Sequence, residues 1–254
     1  MILYLNNMKK KIIVLLIVLV LLVGIIIIIT NNNSNEKEIN KKYSEVTDKK
    51  IIKDINKKIN YISSKNGKLF KDGIIETFYF NDSFLNKLSD EDKAYIVLDS
   101  LVSESKIKKC FSYDKVNKRY NSLFGKDISS DINISNRDSI SYKIKSEQYC
   151  IKNKNNFDLK GYMYMYTNKI ISNDNYIKAY VNYGMSGDVV STDKWIIYDS
   201  LDNSIYKAGL TIDEVKEFRI DENNNSEFEE YVFLFKKRDN NYYFVRVEDG
   251  KYEK

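Results

Sequence analysis

Residues 12–29, IIVLLIVLVLLVGIIIII, contain no charged or polar side chain. At about 1.5 Å per helical residue the run reaches about 27 Å, close to the thickness of a bilayer's hydrocarbon core. Lys9, Lys10 and Lys11 stand directly before it, and Glu36, Lys37 and Glu38 are the first charges after it. That lysine bias keeps the N terminus in the cytoplasm and places residues 31–254 outside. A cleaved signal peptide shares the basic start and the apolar stretch, but its apolar region is normally shorter. Thr30, Asn31, Asn32 and Asn33 also lack the small-residue cleavage pattern. The reading is therefore an uncleaved anchor over 12–30, with a cytoplasmic tail at 1–11 and the lipid bilayer as partner of residues 12–29. A start at Met8 leaves this topology unchanged.

Mean hydropathy is −0.47, which rules out a polytopic membrane protein and makes the solvent-facing part polar. Residues 31–42, NNNSNEKEINKK, are polar and aperiodic and read as a stalk. The chain has no proline and no histidine, while Ile, Lys, Asn and Tyr are abundant. Proline and histidine codons need C, so the coding sequence is AT-rich, as in a low-GC bacterium. Without imidazole, catalytic Ser-His-Asp triads, Cys-His dyads and His-based zinc sites are excluded. The net charge is +5, of which the three lysines before the anchor supply +3. The exported part therefore carries only +2, no footprint for nucleic acid. That small sum hides an asymmetry, +7 over residues 31–160 and −5 over residues 161–254. It reads either as attraction between two halves of one domain or as a basic surface toward an anionic wall polymer or lipid headgroups.

Residues 43–254 read as one α+β domain, helical over 43–127 and β-rich over 138–250. Ile52, Ile55, Ile59 and Ile62 recur at helical spacing and predict a helix over 45–63. Ser89, followed by Asp90, Glu91 and Asp92, starts a second helix over 90–105. Ser112 caps a third, which ends at Gly125. A short strand is expected at 74–80, IIETFYF. From Ile140 the period falls to two, and strands are expected at 140–145, 161–167, 177–183, 195–198, 229–236 and 242–248. Arg238, Asp239, Asn240 and Asn241 suit a tight hairpin, and Thr211 with Glu214 suits a capping box for a short helix. Strands this close in sequence pair antiparallel, so about three helices are expected to cover one face of an aromatic-rich antiparallel sheet.

Candidate chemistry is sparse. Cys110 and Cys150 fall outside the membrane, where they are either bridged or buried as free thiols. Asp221, Asn223 and Asn225 begin like a calcium loop, but Ser226 and Val232 stand where Gly and Glu are needed. No metal or cofactor is expected. Gly184, Met185, Ser186 and Gly187 match neither a nucleophile elbow nor a phosphate loop and read as a flexible loop. The aromatic residues are the better lead, with 21 tyrosines in all. Tyr162, Tyr164 and Tyr166 share one strand face, Tyr176 and Tyr180 lie opposite the Ile177 series, and Trp195 is near in sequence. Together these six form a candidate platform for peptide or sugar, or simply cross-strand pairs that stabilise a sheet.

The resulting expectation is a membrane-tethered, extracytoplasmic binding module without catalysis, its partner a protein or a wall component. One alternative is a histidine-free wall hydrolase using paired carboxylates, although nothing in the sequence singles out a pair such as Asp199 with Asp202 or Glu229 with Glu230. Another is a structural envelope protein whose sheet edge pairs with a partner strand.

Overall fold

The computed structural model describes residues 42–62, 89–104, 110–129, 142–145, 148–151, 162–188, 193–199 and 204–250. The apolar run, the stalk up to residue 41 and the strand expected at 74–80 lie outside them. Among the described residues no helix is long and apolar enough to cross a membrane. Those residues form an α+β fold of four helices on antiparallel strands.

Helix α1 (Lys49–Ile62) begins later than its periodicity implies, because Asp48 Oδ1 accepts from the Lys50 amide at 2.7 Å and caps it. The preceding Ser44–Glu45 is instead strand β1. Helix α2 (Asp90–Glu104) starts just after Ser89, whose carbonyl accepts from the Lys93 amide at 3.1 Å. Strand β2 (Cys110–Ser112) leads directly into helix α3 (Tyr113–Phe124). Ser112 Oγ accepts from the Lys115 amide, and Gly125 ends the helix at a φ of 69°. The three helices bury Ile55, Ile59, Leu98, Leu101, Val116, Tyr120 and Leu123 in one core with the sheet. Asp90 ties α2 to α3, accepting from Lys126 Nζ at 2.6 Å, Lys93 Nζ at 3.5 Å and the Tyr120 hydroxyl at 3.3 Å. The Lys126 hydrogen bond outweighs partial burial and holds the Asp90 carboxyl below its usual range. The Asp90 side chain is 47 % exposed, so solvent screening keeps this joint to about 1 kcal/mol or less.

β2 belongs to a small antiparallel sheet in the order β2-β4-β3, with β3 at Tyr142–Lys145 and β4 at Gln148–Ile151. Its register sets Cys110 opposite Cys150, and the two are disulfide-bonded. Of the two readings the sequence left open for these cysteines, the bridge is the one formed.

The large sheet is built around strand β6 (Tyr176–Asp188), thirteen residues long. Strand β5 (Met163–Ser172) runs along one side of it, and β1 pairs with the far end of β5. The other side of β6 is shared. Strand β9 (Glu229–Arg238) pairs with its residues 176–183, and strand β7 (Trp195–Tyr198) pairs with 185–188. Strand β8 (Ile205–Leu210) continues from β7, and β10 (Asn241–Asp249) continues from β9. The β9–β10 turn places Asp239 and Asn240 at φ values of 49° and 60°, the left-handed pair a two-residue hairpin requires.

The fork in β6 corrects the expected loop at 184–187, which is strand. Gly184 stands where β9 leaves and β7 enters, and a Cβ there would lie 2.6 Å from the Phe228 ring and 3.0 Å from the Tyr198 carbonyl oxygen. Glycine is present because two elements close on that point, so its backbone freedom is not expressed as a loop.

Helix α4 (Ile212–Glu217) follows β8 through the expected capping box: the Thr211 side chain accepts from the Glu214 amide, and the Glu214 side chain accepts from the Thr211 amide. Val215, Ile220 and Phe228 from this region cover Tyr164, Ile197 and Leu210 in a second core. Tyr176, Tyr180, Val232 and Leu234 are also buried on that far face. Both faces of the sheet are therefore covered, where the sequence implied helices on one face only. The first half is likewise not purely helical, since β1 and β2 lie within it.

Candidate functional site

The aromatic residues singled out in the sequence separate into two groups. Successive residues of a strand point to opposite faces, so Met163 and Met165 join the helix-side core while Tyr162, Tyr164 and Tyr166 join the second core. Trp195, from the neighbouring part of the sheet, comes within 6.1 Å of Tyr162, ring centre to ring centre. Tyr164 is 5 % exposed; its hydroxyl donates to the Val215 carbonyl at 2.8 Å and its ring meets Phe218 edge-on at 4.8 Å. Burial pushes the Tyr164 phenol up to about 12, so it stays protonated and keeps donating. Tyr176 and Tyr180 share the same sheet face but lie nearer its other end, under the ammonium groups of Lys236 at 5.6 Å and Lys169 at 4.0 Å. The six residues are thus largely packed. A sheet this broad buries both faces, and tyrosine rings supply the area.

Beside the Tyr162 group runs the outer backbone edge of β5. The Ser186 amide donates to the Tyr162 carbonyl at 2.8 Å. By antiparallel alternation Tyr164 and Tyr166 also turn their backbone groups toward β6, while Met163, Met165 and Thr167 turn theirs away. A bulge at Asn168 then changes the phase. Beyond it Ile170 faces outward, and its carbonyl accepts from the Val46 amide at 2.9 Å. β1 covers that far end. From Met163 to Thr167 the outer edge of β5 has no strand beside it among the described residues.

A cavity of about 350 Å³ lies along this edge. One wall is four consecutive residues, Tyr162 to Met165, and the other is Lys216, Arg219 and Ile220. Four residues in a row alternate between faces, so a cavity that touches them all wraps the strand edge. The two cations at its rim are held by local bonds. Lys216 pairs with Asp213 at 3.2 Å, and Arg219 Nη1 donates to the carbonyls of Lys216 and Phe218 that close α4. Backbone donors and acceptors with no strand beside them among the described residues, an aromatic flank and two positive charges suit an extended peptide segment bearing acidic side chains.

Sequence reasoning missed the backbone of Met163, Met165 and Thr167, and also Lys216 and Arg219. An edge position is a property of sheet order, which strand-local patterns do not encode. The capping box that begins α4 was the one readable signal that Lys216 and Arg219 would be held at fixed positions.

The other candidates are not brought together as a site among the described residues. Asp221 Oδ1 accepts from the Asn223 amide at 2.8 Å and Asn224 Oδ1 from the Asp221 amide at 2.9 Å, so these polar groups are used in closing a turn. Glu229 and Glu230 point to opposite faces, accepting from the Tyr231 hydroxyl and from Asn168 respectively. Asp202 lies outside the described residues. Among the described residues no three His, Cys, Asp or Glu side chains gather to hold a metal ion. No family model, curated protein or solved structure matches this chain.

Proposed function

We propose that the chain is a single-pass membrane protein, anchored by residues 12–29 with its C-terminal domain outside the cytoplasm. In this reading the domain is a non-catalytic binding module that captures an extended, acidic segment of a partner protein by adding it as a strand to β5. The observation that carries the reading is the outer edge of β5, which has no strand beside it from Met163 to Thr167 among the described residues, with Lys216 and Arg219 next to it. Backbone pairing supplies affinity in such complexes, and flanking side chains supply selectivity. The same edge gives a second reading, a structural envelope protein whose copies pair edge to edge. A wall hydrolase gains no comparable support from the cavity along this edge, whose lining among the described residues carries no carboxylate.

Selection from a displayed library of linear peptides tests the proposal, with the full chain held in zwitterionic nanodiscs. Enriched peptides are expected to alternate apolar and acidic residues. Met165→Pro removes an outward amide while sparing the β6 ladder, and it should abolish binding. Arg219→Glu should weaken binding about tenfold or more, the scale of one lost charge-assisted contact. Peptides that bind Met165→Pro and the wild type equally would refute strand addition.

A further inference from the structure

A second cavity, of about 310 Å³, lies where α1, α2 and α3 meet, on the helical side of the domain. Its lining carries five cationic side chains, Lys57 and Lys58 from α1 and Lys115, Lys118 and Arg119 from α3, against the single carboxylate of Asp54. Glu104 adds a second negative charge beside Arg119, and the surplus stays positive. This excess concentrates part of the positive charge of residues 31–160 in one concavity.

The cavity is built around a fixed guanidinium. Arg119 stacks 3.6 Å from the centre of the Tyr61 ring, donates from Nη1 to Ser100 Oγ at 2.9 Å and from Nη2 to Glu104 at 2.8 Å. A planar fork held on three sides presents its remaining N–H groups with little rotamer entropy left to lose. Lys58 is fixed as well, with 5 % of its side chain exposed, donating to Asp54, Asn241 and the Tyr242 carbonyl. Lys57 rests 5.6 Å from Tyr61, and the exposed Lys118 completes the rim. Two bonded cations at the base and exposed lysines at the mouth form an electrostatic funnel for an anion.

We infer that this cavity binds the phosphodiester groups of a hydrophilic anionic polymer, with Arg119 as the oriented fork and Lys57 and Lys118 as the capturing charges. Guanidinium geometry matches phosphate oxygens in pairs. A soluble polymer is favoured over a bilayer surface because Ile205 on β8 is the only large apolar side chain left exposed among the described residues, so no apolar anchor borders the cations. The inference stands on the helical layer and does not depend on the open β5 edge.

The test is calorimetric titration of the full chain in zwitterionic nanodiscs with a glycerol-phosphate oligomer. Separate arms use inorganic phosphate, polyglutamate of matched charge and vesicles of phosphatidylglycerol. The oligomer should bind more tightly than polyglutamate, and the Lys57→Gln/Lys118→Gln double variant should lose about tenfold, or 1.4 kcal/mol, in affinity. The control Lys207→Gln/Lys237→Gln, on exposed strand positions, should stay within about twofold. Because both pairs are exposed lysines, neither variant threatens the fold. Equal binding of polyglutamate, equal losses in the control, binding to vesicles alone, or no binding to the oligomer would each overturn the inference.

Discussion

Removal of the Cys110–Cys150 bridge lowers the stability of the domain by about 4 kcal/mol on loop-closure entropy. The figure follows from the 40-residue separation of the two cysteines, which the bridge closes in the unfolded chain as well as the folded one. The bridge also joins β2 to β4, and β2 is only three residues long. So short a strand cannot hold its register by backbone bonds alone. For a domain of this size, a loss of 4 kcal/mol lowers Tm by about 8 to 16 °C. Thermal melts of the wild type with and without reductant, and of Cys110→Ser/Cys150→Ser, provide the check. A change below about 1 kcal/mol would show that the reduced unfolded chain is already constrained by residual structure.

Phe235→Ala is expected to cost about 3 to 5 kcal/mol, by lost transfer energy and an unfilled cavity. Phe235 is fully buried on β9, pairs in register with both Ile177 of β6 and Phe244 of β10, and meets the Phe244 ring at 5.9 Å. It therefore joins three strands at the centre of the helix-side core, where neighbours cannot collapse inward without moving the ladder. Ile205→Ala is the control. Ile205 is 60 % exposed on β8, and its truncation should stay within about 0.5 kcal/mol. Urea unfolding midpoints of the two variants separate these outcomes, and similar midpoints would contradict the placement of the core.

Elements written by local chemistry were legible in the sequence. Ser112 and Gly125 bound α3, Thr211 and Glu214 open α4, and Asp239 and Asn240 turn the β9–β10 hairpin, each through a side chain or φ value that the residue type specifies. The alternation of Ile177, Ala179 and Val181 against Tyr176, Lys178 and Tyr180 fixed the faces of β6. Other features depend on distant partners and left no local mark. β2 exists because β4 lies across from it, and β8 is mostly exposed, so neither shows a burial period. The Gly184–Gly187 segment resembled a loop because its glycines answer to Phe228 and Tyr198, far along the chain. Tyr164, Tyr176 and Tyr180 are buried, which alternation alone left open between a platform and cross-strand packing, since tyrosine suits a covered sheet face as well as an exposed one. The candidate site suffered most, because its essential atoms are backbone amides that any side chain could carry.

Both proposed surfaces are built from rigid elements. The cations of the helical cavity stand on α1 and α3, which share one core, and Lys216 and Arg219 stand on and just after a capped helix packed on the second core. Rigid presentation lowers the entropy a partner must overcome on binding. The two surfaces also differ in chemistry, the first offering backbone hydrogen bonds beside two cations and the second chiefly cationic side chains. Binding at the first should resist salt better than binding at the second.

Residue-resolved amide hydrogen exchange on the full chain, in nanodiscs and without a partner, tests the open edge most directly. The amides of Met163, Met165 and Thr167 should exchange at least about a hundredfold faster than those of Tyr164 and Tyr166, which bond to β6. Equal protection at all five positions would mean that the outer side of β5 is already paired, and strand capture there would be ruled out.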